Sequence, residues 1–182
     1  RQRRGRDNAA RTSQRKRKGQ RQSKQEEQRE KEKEAKKKEK GLALFFIDLD
    51  KFKEINDSLG HDVGDKVLKI ITDILKNSIR KEDMLSRLAG NEFTIIMEDV
   101  IYSEDVSKLG HAILNMFAEP IHVDEHILYI TSSIGISLYP QDADNEKDLL
   151  KYADTAMYRA KESGRNNFQF YRPEMTKRAL EQ

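Results

Sequence analysis

The sequence predicts an α/β fold of the α+β sandwich type, with helices packed on a central, mainly antiparallel sheet. Three observations lead to this class. Strands and amphipathic helices alternate after residue 40, tight turns join neighbouring strands, and the first strand is apolar on both faces. A strand that is apolar on both faces belongs in a sheet covered on both sides. The sequence contains no Cys, which excludes disulfides and thiolate sites.

Residues 1–40 differ in composition from the rest of the chain. They hold 18 Lys/Arg and 7 Asp/Glu, whereas residues 41–182 hold 17 and 25, so a charge of +11 precedes one of −8. Their only apolar side chains are Ala9, Ala10 and Ala35. Such a segment buries too little apolar surface to offset its ordering entropy. We expect a solvated, mobile arm that is helical in places, through pairs such as Glu27/Lys31 and Glu32/Lys36. Attraction to nucleic acid or an anionic membrane is the alternative.

The first half of the remaining chain reads as one strand and two helices. Residues 42–47 form a continuous apolar strand that ends in Asp48-Leu49-Asp50. Residues 52–59 read as a short helix ended by Gly60. Residues 65–79 carry apolar side chains at helical spacing and predict an amphipathic helix.

The second half adds two predicted hairpins, two helices and a last strand. Residues 84–88 and 93–97 flank a tight turn, Ala89-Gly90-Asn91-Glu92. A helix is predicted at 103–118, and strands at 121–123 and 127–138 read as a hairpin around Asp124-Glu125. A third long helix at 144–163 ends at Gly164, and residues 168–171 form the last strand.

Acidic side chains occur at two tight places in this arrangement. Asp48 and Asp50 end the buried strand, and Glu92 lies beside Asn91 in the hairpin turn. Carboxylates at a strand end can hold Mg²⁺, which prefers oxygen ligands and often shares them with phosphates. Acidic residues at strand ends are also common solvated caps, so spacing alone leaves both interpretations open.

The blocks "FFIDLDKFKEINDSLGHDVGDKVL", "RLAGNEF" and "AKESGRNNF" together resemble the GGDEF domain family, the diguanylate cyclases. The resemblance covers residues 42–171. It implies a fold like the palm of nucleotide cyclases and polymerases. It also implies a bacterial, cytoplasmic reaction in which two GTP molecules on facing domains condense to cyclic di-GMP and pyrophosphate, assisted by Mg²⁺ or Mn²⁺. A homodimer follows from that geometry, and no specific nucleic acid partner is expected.

The resemblance also implies roles for individual residues. Asp48, the Leu49 carbonyl and Glu92 match the metal side of the site, and Gly90 lies in the signature turn at the nucleotide. Asn56 and Asp65 match the residues that read the guanine edge. The nucleotide phosphates would contact the backbone N–H groups of Phe52 and Lys53 and the Lys53 ammonium group. They would also contact the cationic side chains of Lys161 and Arg165.

Two of these pairs also have a purely structural explanation. Asn56 and Asp65 could instead be helix caps. Lys161 and Arg165, four residues apart and on one helical face if the helix continues that far, could simply favour a helix C-terminus.

The signature turn departs from the family pattern Gly-Gly-Asp/Glu-Glu-Phe. Ala89 replaces the first glycine, which matters only where φ must be positive or contact is very close. Asn91 replaces an acid that the family uses as a metal ligand tied to catalysis. The amide removes a negative charge, although it can still offer a carbonyl oxygen, so we predict weak or absent cyclase activity. Upstream, "RDNAARTSQR" lacks the apolar residues of the family's block before the first strand.

Two further segments resemble parts of the family's proteins. Arg80 and Asp83 fit the Arg-x-x-Asp of the inhibitory site that holds product; an ordinary solvated turn is the alternative. "FYRPEMTKRALEQ" resembles the connector to a following EAL phosphodiesterase domain, with residues 172–182 starting a linker helix. Its predicted apolar side is Tyr171, Met175, Ala179 and Leu180.

Three functional hypotheses follow. The first is a degenerate regulatory module that binds GTP, cyclic di-GMP or both. The second is an active cyclase that tolerates Asn91. The third is a structural interaction domain without a ligand.

Overall fold

The computed structural model describes residues 2–38 and 40–181, and within them the side chains of residues 9–31, 40–178 and 180. The chain divides into two units, residues 1–40 and 41–182. In the first unit, Gln2–Lys38 forms one helix, α1. The predicted ion pair between Glu27 and Lys31 is present at 3.0 Å. The predicted Glu32/Lys36 pair lies outside the described side chains, as does Ala179.

The second unit has a five-stranded sheet with helices on both faces. Its elements, in order, are β1 (Gly41–Leu49), α2 (Phe52–Leu59), α3 (His61–Ser78), β2 (Met84–Ala89), β3 (Glu92–Val100), α4 (Ser103–Phe117), β4 (Ile121–Val123), β5 (His126–Leu128), β6 (Ser132–Tyr139), α5 (Glu146–Glu162), β7 (Asn167–Phe170) and α6 (Pro173–Glu181). The strand order is β2-β3-β1-β6-β7, and β4 and β5 pair separately. All neighbours in the main sheet are antiparallel except β6 and β7, which are parallel. The mainly antiparallel sandwich that the sequence predicts is therefore confirmed.

β1 lies at the centre of the sheet and packs on both faces. Successive side chains of a strand point to opposite faces. Phe45 and Ile47 enter the core shared with α3 and α4, while Leu44 and Phe46 pack against α5. Each such buried side chain contributes roughly 1.5–3 kcal/mol relative to an exposed one. This two-sided burial fixes the end of β1, where Asp48 follows on the α5 side.

Gly135 of β6 sets how closely α5 approaches the sheet. A Cβ at this position would lie 1.9 Å from the carbonyl oxygen of Ala153 and 2.2 Å from the backbone nitrogen of Met157. Only a residue without a side chain allows this distance. The close packing brings the C-terminal end of α5 beside the end of β1.

The predicted strand at 127–138 is wrong as one element. β5 ends at Leu128, and β6 begins at Ser132 and joins the main sheet instead of the hairpin. Between them the Tyr129 side chain is 78% exposed whereas Ile130 is 2% exposed. A continuous run of strand-forming residues does not reveal where the chain changes sheets. α3 also starts earlier than predicted, at His61, because Gly60 (φ 91°) ends α2 and leads directly into the next helix.

None of the helices in the described part of the chain is long and apolar enough to cross a membrane.

Candidate functional site

The end of β1 and the β2–β3 turn meet side by side. Asp48 and Glu92 are register partners in the sheet. The side-chain amide nitrogen of Asn91 donates to Asp48 Oδ1 at 2.6 Å and to the Leu49 carbonyl oxygen at 3.1 Å. The backbone nitrogen of Leu49 in turn donates to the backbone carbonyl oxygen of Asn91 at 3.2 Å. Because a carboxylate and a carbonyl only accept, the NH₂ group of Asn91 must face them.

Lys161 at the end of α5 completes the environment of Asp48. Its ammonium group lies 2.5 Å from Asp48 Oδ2. Asp48 is 5% exposed, and a buried carboxylate is stable only where donors or cations surround it. One oxygen of Asp48 therefore has an amide donor and the other has a cation.

Two further carboxyl groups lie in the electrostatic field of this cluster. Burial, followed by the charges of Asp48 and Asp154, raises the pKa of Glu92. Burial raises the pKa of Asp154 as well; Lys161 opposes this change and Asp48 adds to it. Asp154 was not among the site residues predicted from the sequence. Its position seven residues before Lys161, on the same face of a helix, was the signal that could have identified it.

Asp50 is a buried acceptor of several hydrogen bonds rather than a free carboxylate at the strand end. It accepts from the hydroxyls of Thr131 and Ser133, both at 2.6 Å, and from the backbone nitrogen of Asn166 at 3.1 Å. A guanidinium nitrogen of Arg165 lies 3.6 Å from it. Asp50 thus joins β6 to the turn that carries Arg165.

α5 ends at Glu162, so the helix does not continue as far as Arg165, and Arg165 does not share a helical face with Lys161. Gly164 has φ 105°, and the next two residues are also left-handed, with φ 64° and 48°. The backbone nitrogens of Gly164 and Arg165 donate to Lys161 and Ala160, the pattern of a Schellman helix end. The turn redirects Arg165 away from the helix axis, but both cations still neighbour the aspartates at the end of β1.

At the corner between α2 and α3, one predicted base-reading residue packs against the backbone next to the other. A Cβ at Gly64 would lie 1.8 Å from Asn56 Oδ1, so the amide of Asn56 packs directly on the α3 backbone beside Asp65. Neither residue caps a helix, since the caps here are Lys51 and Gly60. The helix-cap alternative is therefore wrong.

Phe52 and Lys53 begin α2 with different environments. The Phe52 side chain is buried in the core and Lys53 is exposed. Phe52 can therefore offer a ligand only its backbone N–H group, while Lys53 can offer its ammonium group. The preceding residue, Lys51, is left-handed, with φ 59°.

The signature turn itself tolerates alanine at its first position. The two-residue loop is Gly90-Asn91, and positive φ among its described residues falls on Gly90, at 50°, and not on Ala89. Ala89 belongs to β2 and pairs with Glu92. The methyl group at position 89 therefore introduces no backbone strain.

Arg80 and Asp83 form a closed pair at the start of β2. The Arg80 guanidinium donates to both carboxylate oxygens of Asp83, at 2.9 and 3.2 Å, and to the Glu98 carbonyl at 2.6 Å. The Asp83 side chain is 1% exposed beneath it. The hydrogen bond to Asp83 is the largest cause of the raised pKa of Arg80. The structure thus brings the two predicted residues together, each engaged with the other.

A divalent cation at the end of β1, which the resemblance implies, does not fit the donor set as it is arranged. The oxygens of Asp48 and Leu49 already accept from Asn91, and Lys161 holds the second oxygen of Asp48. The described residues contain no group of three or more His, Cys, Asp or Glu side chains that could hold a metal ion.

A cavity of about 560 Å³ lies beside α5 and α6. It shares Asp154 with the carboxylate cluster, and its wall includes the ion pair between Arg159 and Glu162, 3.3 Å apart. Its mixed charges indicate no particular ligand.

Known proteins match this chain along most of its length. The family described as "Diguanylate cyclase, GGDEF domain" matches residues 19–167. The cyclic di-GMP phosphodiesterase NbdA of Pseudomonas aeruginosa is 41% identical over 142 residues, which cover 78% of this chain and 18% of NbdA. The chain thus spans about a fifth of that relative.

Solved structures show the same fold. The isolated GGDEF domain of TpbB from Pseudomonas aeruginosa has 34% identity and a TM-score of 0.76, with 82% of this chain and 87% of that chain covered. An EAL/GGDEF domain protein from M. capsulatus has 38% identity and a TM-score of 0.70, with 73% and 86% covered. The chain therefore belongs to the GGDEF domain family, whose members are diguanylate cyclases and related domains of bacterial cyclic di-GMP signalling that normally use Mg²⁺.

Proposed function

We propose that this domain is a catalytically impaired GGDEF domain that binds GTP, cyclic di-GMP or both and acts as a regulatory module. One observation carries the proposal: Asn91 directs its NH₂ group, and not its carbonyl oxygen, toward Asp48 and Leu49. An amide cannot act as a base, and here it supplies no oxygen ligand either. Losing one charged group that stabilises the transition state costs on the order of 10²-fold in rate.

The groups proposed for nucleotide binding remain in place around the impaired centre. Asn56, whose amide packs on the α3 backbone at Gly64, and Asp65, the next residue of α3, are proposed to read the guanine edge. Phe52 and Lys53, at the start of α2, are proposed to meet the phosphates. Lys161 and Arg165 are the proposed phosphate cations. Lys161 is paired with Asp48, so its ammonium group would have to contact a phosphate while it keeps that partner. Mg²⁺ or Mn²⁺ would accompany the nucleotide on its phosphates in this proposal, without being required to hold it.

Cyclic di-GMP is the second proposed ligand, at Arg80 and Asp83. Arginine can fork to phosphate or stack on guanine, and a carboxylate can accept from the guanine edge. The closed pair leaves Asp83 covered, so binding requires Arg80 to swing outward and give up its bond to Glu98. The conformational cost predicts a weaker site than a preformed one would be.

The setting of the domain belongs to the same proposal. We place it in the cytoplasm, beside an EAL phosphodiesterase domain of the same native chain, with homodimers as the form in which two sites would face each other. α6 begins the proposed linker, with Tyr171 and Met175 buried and Leu180 exposed. Residues 1–40 are proposed to be a mobile arm even though Gln2–Lys38 is helical.

The rival activity is an active diguanylate cyclase. It is favoured by Glu92 and Lys161, which are both retained next to Asp48. A structural domain without ligand is the remaining alternative, and no contact in the described residues favours it over the other two.

Titration calorimetry and a turnover assay separate these functions. We expect GTP to bind and to be converted at least about a hundredfold more slowly by the native protein than by Asn91→Asp, with Mg²⁺ or Mn²⁺ present. Asn77→Asp, an exposed change of the same charge on α3, is the matched control and should resemble the native protein. Equal turnover by native protein and Asn91→Asp would contradict the impaired-enzyme proposal.

A second pair of variants tests the cyclic di-GMP site. Arg80→Ala should abolish cyclic di-GMP binding in calorimetry, whereas Lys81→Ala, at the exposed neighbouring position, should leave it unchanged. Binding that survives Arg80→Ala would move the ligand elsewhere. Absence of binding by GTP and cyclic di-GMP alike would favour the structural domain.

A further inference from the structure

We propose that Asn91 and Lys161 together take the place of a divalent cation at the end of β1. The Asn91 amide nitrogen joins the Asp48 carboxylate to the Leu49 carbonyl, and the Lys161 ammonium supplies the positive charge. The domain would then bind nucleotide without needing a cation at this position. The nucleotide part of this inference rests on the proposed function, whereas the cation part does not.

Two oxygens at the end of β1 converge on a single donor atom. Asp48 Oδ1 and the Leu49 carbonyl oxygen lie 2.6 and 3.1 Å from one and the same nitrogen. Mg²⁺ binds oxygen at about 2.0–2.1 Å and Ca²⁺ at about 2.3–2.6 Å. An ion in contact with both oxygens would have to occupy the gap that the Asn91 nitrogen fills. The amide and the ion therefore exclude each other.

A backbone hydrogen bond also positions the Asn91 side chain. The backbone nitrogen of Leu49 donates to the backbone carbonyl oxygen of Asn91 at 3.2 Å. Leu49 and Asn91 are therefore joined by two hydrogen bonds, one to the Asn91 backbone and one from its side chain. The amide is therefore positioned by main-chain geometry as well as by its own hydrogen bonds. Rotating it to aim Oδ1 at the same two oxygens would replace two attractive contacts with two repulsive ones.

The negative charge of Asp48 is already balanced by a neighbouring side chain. Asp48 is buried and carries one negative charge, which Lys161 balances with one positive charge. A carboxylate that is paired and hydrogen-bonded on both oxygens has little need of a further cation. A cation added here would have to displace both Asn91 and Lys161.

Mn²⁺ titration of the nucleotide-free protein, followed by the electron paramagnetic resonance signal of free Mn²⁺, tests the cation part directly. Asn91→Asp removes the donor and adds a carboxylate, so it should bind Mn²⁺ about tenfold to a hundredfold more tightly than the native protein. Asn77→Asp adds the same charge at an exposed position and should match the native protein. Native protein that binds Mn²⁺ as tightly as Asn91→Asp would overturn the inference.

A thermal measurement covers the case in which Asn91→Asp folds poorly. Two carboxylates side by side repel each other without a cation between them. Mn²⁺ should therefore raise the unfolding temperature of Asn91→Asp and leave that of the native protein unchanged. An equal rise for both proteins would also overturn the inference.

GTP calorimetry of the native protein tests the nucleotide part. The dissociation constant should change less than about threefold when Mg²⁺ is replaced by EDTA, a difference below about 1 kcal/mol. Binding of GTP in Mg²⁺ that is lost in EDTA would refute the nucleotide part. If GTP binds in neither condition, the proposed function fails, while the Mn²⁺ titration still decides whether Asn91 and Lys161 replace the cation.

Discussion

Replacing Asp50 should cost more stability than replacing any exposed carboxylate of the domain. Asp50 is buried between β6 and the turn after α5, where it accepts from Thr131, Ser133 and Asn166. Arg165 adds a longer-range charge at 3.6 Å. Asp50→Ala leaves three donors facing a small apolar gap and removes the negative charge that Arg165 faces.

The magnitude follows from these contacts. A hydrogen bond to a charged group contributes roughly 1.5–3 kcal/mol, and the three are not additive because they share one acceptor group. Breaking a buried, charge-bonded group by removing one side costs about 3–5 kcal/mol. We therefore expect Asp50→Ala to lower the unfolding free energy by about 3–5 kcal/mol, a large share of the roughly 5–15 kcal/mol typical of a domain.

Asp50→Asn separates shape from charge. The amide oxygen can keep the Oδ2 position, where it accepts from Thr131 and Asn166, while the Ser133 hydroxyl rotates to accept from the new NH₂ group, so we expect a loss of only about 1–2 kcal/mol. That loss comes from the missing negative charge and from the NH₂ group facing the Arg165 guanidinium. The order of stability should be native, then Asp50→Asn, then Asp50→Ala.

Urea unfolding followed by circular dichroism measures these differences. Asp57→Ala, which removes an exposed aspartate from α2, is the control and should stay within about 0.5 kcal/mol of the native protein. An Asp50→Ala protein within about 1 kcal/mol of native would show that the donors find water or other partners. The stabilising role of Asp50 as a shared buried acceptor would then be wrong.

Three further predictions concern glycines and pH. Gly64→Ala gains about 1 kcal/mol of helix propensity but its Cβ would lie 1.8 Å from Asn56 Oδ1. We expect near-native stability with GTP affinity about tenfold lower in calorimetry, and unchanged affinity would disprove the positioning role. Gly135→Ala drives a methyl into the Ala153 carbonyl, so urea unfolding should show a loss of at least about 3 kcal/mol; a loss below 1 kcal/mol would contradict it. Burial and neighbouring carboxylates raise the pKa of Glu92 above its ordinary value of 4.5. The native state then binds the proton more tightly than the unfolded state, so stability falls as pH rises from about 4.5 through the raised pKa. Glu92→Gln should flatten that slope in denaturant titrations at several pH values, and an unchanged slope would exclude Glu92 as its source.

The predictions from sequence succeeded where one local signal determined one element. The apolar run before Asp48 indicated a buried strand, and Gly90-Asn91 between two apolar stretches indicated a hairpin turn; both are present. Gly164 ended α5 where glycine was expected to end it. These features depend on backbone freedom and side-chain periodicity within a few residues, which the sequence contains in full.

The same approach failed where distant segments compete for one strand. Residues 127–138 form two strands because Ile130 turns inward and β6 pairs with β1, a partner more than 80 positions earlier in the chain. Arg165 leaves the helix face of Lys161 because the turn after Gly164 is left-handed over three residues. Such outcomes depend on packing between elements and not on the propensity of either one.

The sequence by itself determined the family, the order of most elements and the exchange of an acid for Asn91 in the signature turn. Only the tertiary structure decided what that exchange does. It placed the NH₂ group of Asn91 on Asp48 and Leu49, and Lys161 on the other oxygen of Asp48. An asparagine can present either a donor or an acceptor, and the choice depends on the groups that the fold brings opposite to it. Here those groups are two oxygen acceptors at the end of β1.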